Sequence, residues 1–190
     1  MIDHIGSKPA PGRLRLIQAF INTAERESGR EDLDSPRALG TWLAEHHLLI
    51  AGGEVGESDL RAAVGVREAF RQLALSNNGA PPDPEALEAL NRMARSSQMT
   101  LSFVSDAPAR LEPRAPGVDG AVGQLLAIVF EAMVDGSWNR LKTCPETGCL
   151  WAFYDHSKNR SGTWCSMAVC GNRHKARDYR VRKLASGALR

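Results

Sequence analysis

Four cysteines lie near the C-terminus of this 190-residue chain, and they are the only cysteines in it. Cys144 and Cys149 form one close pair, Cys165 and Cys170 form a second, and 15 residues separate the pairs. Structural zinc prefers four tetrahedral ligands, and two tight turns that each present two thiolates can supply them. The spacing therefore predicts one Zn²⁺ ion bound by Cys144, Cys149, Cys165 and Cys170.

Two other cysteine chemistries are less favoured. Disulfides need an oxidising compartment, and residues 1–11 lack the apolar core of an export signal, so we expect a reducing, cytoplasmic environment. A catalytic zinc keeps one coordination position open, whereas four cysteines close the coordination shell. Structural zinc is the preferred interpretation.

A basic segment follows the second cysteine pair. Arg173, Arg177 and Arg180 are spaced i, i+4 and i+7, so a helix would place their guanidinium groups on one side. Such a stripe suits phosphate binding, and the alternative of a solvated helix face would normally include more acids than Asp178. The predicted nucleic-acid contacts combine this helix with the loop between the cysteine pairs: Lys158, Asn159, Arg160, Ser161, Arg173, Lys175, Arg177 and Arg180.

The charge distribution supports a basic module. Residues 139–190 contain 11 Lys and Arg against 3 Asp and Glu, a formal charge of +8. The other 138 residues contain 13 basic and 19 acidic residues, a formal charge of −6, which leaves the chain at +2. This asymmetry indicates two modules and an anionic partner for one of them, although a solvated basic tail is the alternative.

The aromatic residues between the cysteine pairs have two interpretations. They are Trp151, Phe153, Tyr154 and Trp164. So short a module buries little apolar surface, and aromatics combined with a metal are a reasonable way to stabilise it. Packing in a small core is favoured over stacking on nucleic-acid bases.

The preceding residues show mainly helical periodicity. Helices are predicted over roughly residues 12–27, from Ser35 and Pro36 through Leu43, from a Ser58 cap through Leu73, from Asp83 through Met93, and from Val118 to Val134. Alternation over residues 98–104 predicts a strand that pairs with residues 109–114 across a turn at residues 106–108.

These elements predict a mainly α fold in two domains. Residues 1–137 form a helical domain with one small β-hairpin, and residues 138–190 form a small four-cysteine zinc finger with a short hairpin and a helix. Either Asn172 caps that helix or Cys170 already lies in its first turn. Val181 and Leu184 are expected to pack against the zinc module. No apolar run approaches the roughly 20 residues that span a bilayer, so no membrane partner is predicted.

The segment from Cys144 to Arg173 resembles the CGNR zinc finger. The shared features are both cysteine pairs, the intervening Trp151, Phe153, Asp155 and residues 157–159, the run from Trp164 to Met167, and the closing Cys170, Gly171, Asn172 and Arg173. The upstream part is similar to the helical ABATE domain at residues 20–23, at 35–36 with 42–43, and at 60–61 with 67–69. The resemblance implies that the four cysteines are zinc ligands and that the protein is a bacterial transcription regulator whose finger contacts DNA.

The leading functional hypothesis is therefore a transcription regulator. Its zinc finger would bind DNA, while residues 1–137 would bind a small-molecule effector or form a homodimer. Asn22 and Arg67 are candidates to line an effector pocket, with a solvated helix face as the alternative. The rival functions are a zinc-stabilised module that contacts the transcription machinery or another acidic protein, and an RNA-binding protein.

The sequence offers little for an enzyme, and no catalytic residue is predicted. The five histidines form no recognisable metal or triad pattern with nearby carboxylates: His4, His46, His47, His156 and His174. His46 and His47 end a predicted helix, where histidine commonly caps the last turn.

Overall fold

The computed structural model describes residues 9–50, 52–103, 105 and 108–187. Residues 1–8, which include most of the segment judged for an export signal, lie outside these ranges. Asp106 and Ala107 of the predicted hairpin turn also lie outside them.

Six α-helices account for about half of the described chain: α1 (Leu14–Ile21), α2 (Pro36–Glu45), α3 (Glu57–Ser76), α4 (Pro84–Ser96), α5 (Gly117–Val134) and α6 (Asn172–Gly187). Three antiparallel hairpins accompany them: β1 (Ala24–Glu25) with β2 (Arg30–Glu31), β3 (Thr100–Ser102) with β4 (Arg110–Glu112), and β5 (Leu141–Thr143) with β6 (Ala152–Tyr154). A 3₁₀ turn at Trp138–Arg140 precedes β5, and a π-helical turn at Met167–Gly171 precedes α6. The predicted mainly α fold with a C-terminal four-cysteine module is confirmed.

Two helix starts follow directly from local sequence. The side chain of Ser35 accepts a hydrogen bond from the Ala38 N–H at 3.2 Å, and Pro36 occupies the first position of α2. Asp83 accepts from the Glu85 N–H at 2.9 Å ahead of Pro84 in α4. Proline is favourable at this position because the N–H that it lacks would have no partner there. Both predicted helix starts are correct.

Two helix ends differ from the prediction. α1 ends at Ile21 rather than near residue 27, because Thr23 donates its hydroxyl to the Phe20 carbonyl at 2.8 Å and the chain then turns back as β1 and β2. Gly29, at φ +72°, lies in the turn of this hairpin, so the described part of the helical domain has two small hairpins instead of the one predicted. α3 begins one residue before Ser58, since the Asp59 carboxylate accepts from the Gly56 N–H at 2.8 Å.

The apolar core joins the helical domain to the C-terminal hairpin. α1, α3 and α5 pack together, and the Phe20 ring lies 5.1 Å from that of Trp42 and 6.3 Å from that of Phe70. The same cluster of buried residues continues into the finger through Trp138, Leu141, Ala152 and Tyr154. The strands that flank the first cysteine pair are thus part of the main core.

One helix has the length and apolar composition of a membrane span, although the sequence analysis found no such apolar run. α5 has 18 residues with a mean hydropathy of 1.5, which by length and composition alone could cross a membrane. Its buried share is 56%, and it packs against α1, α3 and α4. The core helix of a soluble protein has the same properties.

The C-terminal half of α6 corrects one further expectation. Val181 is 61% exposed and Leu184 is 74% exposed, so neither side chain packs against the zinc module. All residues from 178 to 184 are exposed. This part of α6 extends into solvent and is held through its N-terminal turns.

Candidate metal centre and adjoining basic helix

The structure brings the four cysteines into one buried cluster. Their Sγ atoms all lie within 4.8 Å of one another. The Cys149 and Cys165 sulfurs are 3.6 Å apart, and those of Cys165 and Cys170 are 3.7 Å apart. Tetrahedral zinc with Zn–S bonds of about 2.3 Å requires S···S separations of about 3.8 Å. The donor set therefore fits Zn²⁺ in both chemistry and spacing.

Hydrogen-bonded turns position the first pair. The Cys144 N–H donates to the Trp151 carbonyl at 2.9 Å, which extends the β5–β6 ladder, and the Cys149 N–H donates to the Glu146 carbonyl at 2.8 Å. Leu150 follows at φ +49°, so the chain reverses directly after Cys149. The two thiols therefore lie on a turn whose flanking strands pack into the main core.

The second pair enters the start of a helix. Ser166 caps the π-helical turn by accepting from the Val169 N–H at 3.3 Å, and Cys170 lies within that turn. A Cβ atom on Gly171 would clash with the thioether of Met167 and lie 3.2 Å from the ring of Trp164. Of the two alternatives from the sequence, Cys170 in the first helical turn is the observed one.

The electrostatics of the cluster favour a cation. Hydrogen bonds from neighbouring thiols lower the pKa of Cys144 to about 2, whereas hydrogen bonding to Cys144 raises the pKa of Cys149 and of Cys165. Burial raises the pKa of Cys170. Four thiolates in so small a space would repel one another, and a divalent metal ion would stabilise them together.

The aromatic residues pack around the cysteines, as the small-core interpretation predicts. Phe153 is buried in the same cluster as the four cysteines, and Trp151 and Trp164 are partly buried against it. Tyr154 is buried in the main core. The Trp164 ring also lies 4.9 Å from that of His174 on α6. These side chains connect the metal centre to the hairpin and to α6.

A buried ion pair holds the loop between the cysteine pairs. The Lys142 ammonium lies 2.9 Å from the Asp155 carboxylate and donates to the carbonyls of Arg160 at 2.6 Å and Gly162 at 2.8 Å. Asp155 accepts from the N–H groups of Ser157 and Gly162. Burial would raise the pKa of Asp155, but Lys142 and these donors hold it well below its ordinary value.

The predicted nucleic-acid residues of this loop are exposed. They are Lys158, Asn159, Arg160 and Ser161. Arg160 has φ +53°, and the Ser161 N–H donates to the Ser157 hydroxyl at 3.0 Å. The loop is thus shaped by its backbone contacts, and its polar side chains are directed to solvent.

The arginine stripe on α6 is only partly free. Arg173 forms an ion pair with Glu27 at 2.6 Å, and Arg177 contacts both carboxylate oxygens of Glu146 at 3.2 and 2.7 Å. The hydrogen bond to the partner carboxylate raises the pKa of each arginine. Arg180 and Lys175 form no ion pair within the described residues. The three arginines line one open groove of about 580 Å³.

Sequence reasoning missed the arginine that joins the two parts of the chain. Arg71 on α3 is 1% exposed and donates to the carbonyls of Leu150 at 2.7 Å and Ile21 at 2.6 Å. Its third partner is the Glu68 carboxylate at 3.1 Å. The only signal was an arginine at the spacing of buried positions in α3, which by itself does not identify a partner.

Asn22 and Arg67 have different roles from those predicted. The Asn22 amide donates to the Ala152 carbonyl at 3.0 Å and accepts from the Ala152 N–H at 2.8 Å, so it pairs with the backbone of β6. Arg67 is buried and makes two hydrogen bonds to Glu31, at 2.6 and 2.8 Å. Both side chains are desolvated and satisfied by internal partners, so they neither line an effector pocket nor form a solvated face.

His46 occupies the C-terminal cap of α2, as expected. Its Nδ1 lies 2.8 Å from the Trp42 carbonyl, and its ring stacks on that of Trp42 at 4.1 Å. A structural role accounts for these contacts.

Two family models match most of the chain. Residues 14–136 match ABATE, described as "Putative stress-induced transcription regulator", and residues 140–183 match the CGNR zinc finger. A search of curated proteins found no match. The two matched segments together include α1 to α5, most of α6 and all four cysteines.

Proposed function

The chain belongs to the ABATE family and carries a CGNR zinc finger that binds Zn²⁺, and on this premise we propose that it regulates transcription by binding duplex DNA. Residues 138–190 would form the DNA-binding module, with Cys144, Cys149, Cys165 and Cys170 as the zinc ligands. Residues 1–137 would form the regulatory domain. Zinc would supply the cross-link that orders the module, since so small a segment has little core of its own.

The observation that carries this proposal is the basic surface built on the metal centre. The loop side chains from Lys158 to Ser161 are exposed, and α6 leaves the cysteine cluster with its cations in solvent. An α-helix fits the major groove of B-DNA, which is about 12 Å wide. Residues 178–184 are exposed on all sides and could enter such a groove.

The exposed groups divide by chemistry. Lys158, Lys175 and Arg180 suit phosphate oxygens, because they are cations without an internal partner among the described residues. Asn159 and the arginines are also suited to base edges. This division predicts that most of the affinity is electrostatic.

The test is selection from a random duplex library by the zinc-loaded protein, followed by titration of an enriched site at several salt concentrations. Six phosphate contacts would give a log–log salt slope of about −5. Arg180→Ala should weaken binding and reduce the slope by about 1. Arg61→Ala removes an exposed arginine from α3 and should leave binding unchanged. Weak binding that is insensitive to salt would refute the proposal.

An acidic protein partner is the second candidate. Arg173 and Arg177 already bind carboxylates in this structure, so the same surface is able to recognise acidic side chains. A pull-down after nuclease treatment separates the two functions: a partner retained without nucleic acid favours the protein. RNA binding by base stacking is less favoured, because Trp151 and Trp164 pack against the cysteine cluster.

The remaining proposals concern the source, compartment, effector and oligomeric state of the protein. The family descriptions name a regulator and a zinc finger, and we propose a bacterial, cytoplasmic protein without catalytic activity. A small-molecule effector and a homodimer remain predictions for residues 1–137. Size-exclusion chromatography with light scattering, and a thermal-shift screen of metabolites, would test them separately.

A further inference from the structure

The turn of the β1–β2 hairpin in the helical domain reaches the basic helix of the finger. Glu27 lies in this turn, and its Oε1 is 2.6 Å from Nη2 of Arg173, a residue 146 positions later in the chain. The Glu27 side chain is 18% exposed and that of Arg173 is 44% exposed. The contact therefore joins a partly buried acid of one region to a more accessible cation of the other.

Only one of the two carboxylate oxygens of Glu27 takes part in this ion pair. The second oxygen of Glu27, Oε2, is buried and has no hydrogen-bond partner within the described residues. By contrast, Glu146 uses both oxygens to bind Arg177. A carboxylate oxygen that is removed from water without a partner carries a desolvation cost, which offsets part of the attraction to Arg173. The Glu27 contact is thus the more easily exchanged of the two.

Arg173 also begins the arginine stripe that lines the groove on α6. While Glu27 holds it, one cation of the stripe is neutralised, and the carboxylate repels any phosphate that approaches the same guanidinium. We propose that Glu27 occupies the position of a nucleic-acid phosphate, so that the helical domain restrains binding of the finger to DNA. This inference rests on the proposed function and adds its regulation.

The β1–β2 hairpin connects Glu27 to the rest of the helical domain. The β1–β2 hairpin is tied to α3, because Glu31 at its end binds the buried Arg67. A ligand or partner that moves this hairpin would withdraw Glu27 and free Arg173. By thermodynamic reciprocity, DNA that captures Arg173 would release the hairpin from α6.

The test compares two variants that change net charge equally. Glu27→Gln removes the restraining carboxylate, and Glu131→Gln removes an exposed carboxylate that pairs with Arg13 at 3.1 Å. One added phosphate contact should make Glu27→Gln bind duplex DNA about three- to tenfold more tightly than Glu131→Gln, with a salt slope steeper by about 0.9. Glu27→Asp keeps the charge but shortens the side chain, and it should give an intermediate gain.

Elution from immobilised heparin separates this inference from the DNA proposal. Heparin is a polyanion that requires no DNA-binding function. If no variant binds DNA even at low salt, the proposed function fails, whereas later heparin elution of Glu27→Gln than of Glu131→Gln still supports the restraint. Equal elution of these two folded, zinc-loaded variants overturns it. Equal DNA affinity and equal salt slope would also overturn it.

Discussion

At the scale of single residues, charged and polar side chains position the finger on the helical domain. Arg71 donates to the carbonyl of Leu150, which directly follows a cysteine of the metal centre. Asn78 donates its amide to the carbonyls of Thr143 at 2.9 Å and Thr163 at 2.7 Å. Both side chains satisfy backbone carbonyls of the finger. Arg71 is itself buried, so its loss leaves the Leu150 carbonyl without this donor.

Arg71→Met should therefore destabilise the protein strongly. Methionine fills much of the same space but leaves the carbonyls of Ile21 and Leu150 without their donor and removes a cation beside Glu68. We expect the free energy of unfolding to fall by about 2–5 kcal/mol, because each carbonyl left without a donor in the interior costs about 1–3 kcal/mol. Urea denaturation followed by circular dichroism measures this change.

The matched control is Arg61→Met on the same helix. Arg61 is exposed and has no ion pair among the described residues, so its replacement should change stability by less than about 0.5 kcal/mol. Equal stability losses for the two variants would show that Arg71 does not act through its buried hydrogen bonds.

At the scale of elements, a small residue allows α5 to approach the chain that follows α4. Gly123 faces Ser97 and Pro113, and a Cβ atom there would lie 2.7 Å from the Cβ atoms of both. Ser97 is fully buried, and it donates its hydroxyl to the Asp119 carbonyl at 2.7 Å. Ser97 therefore cannot move aside without losing this bond.

Opposite effects are expected from alanine at two helical glycines. Gly123→Ala should lower stability by about 1–3 kcal/mol, because the added methyl group overpacks this contact. Gly65→Ala on α3 meets nothing within 4 Å and should raise stability by up to about 1 kcal/mol through helix propensity. Melting temperatures of the two variants test this, and a stabilised Gly123→Ala would contradict the close approach.

At the scale of the whole molecule, the hairpin that carries the first cysteine pair packs into the helical core. The β5–β6 hairpin contributes Leu141, Ala152 and Tyr154 to the main core and presents the first cysteine pair at its turn. Because the two share side chains and buried hydrogen bonds, disorder in the zinc site should spread into the helical domain.

Zinc removal should accordingly lower the stability of the entire chain. We expect one zinc ion per protein by elemental analysis, and a single unfolding transition whose midpoint falls by about 6–12 °C on chelation, corresponding to about 3 kcal/mol. Cys149→Ser should lose the metal and melt like the chelated protein. Differential scanning calorimetry tests this, and an unchanged transition of the helical core after chelation would contradict the coupling.

The features that were predicted correctly from the sequence depend on residues close together in the chain. The cysteine spacing was enough to predict that four thiols meet at a zinc site, and Ser35 with Pro36 was enough to place the start of α2. The resemblance to the two families covered most of the chain. The residues that make up each of these patterns are close together in the chain, so local backbone geometry is enough to bring them into contact.

The partners of the buried polar groups, by contrast, are visible only in the folded chain. The pairing of Asn22 with β6 and the anchoring by Arg71 depend on partners up to 130 positions away. The same holds for Arg173, which spacing placed on a free stripe and which the fold pairs with Glu27. An isolated arginine or asparagine carries no signal for its partner, because the energy that holds it arises only when folding excludes water from both.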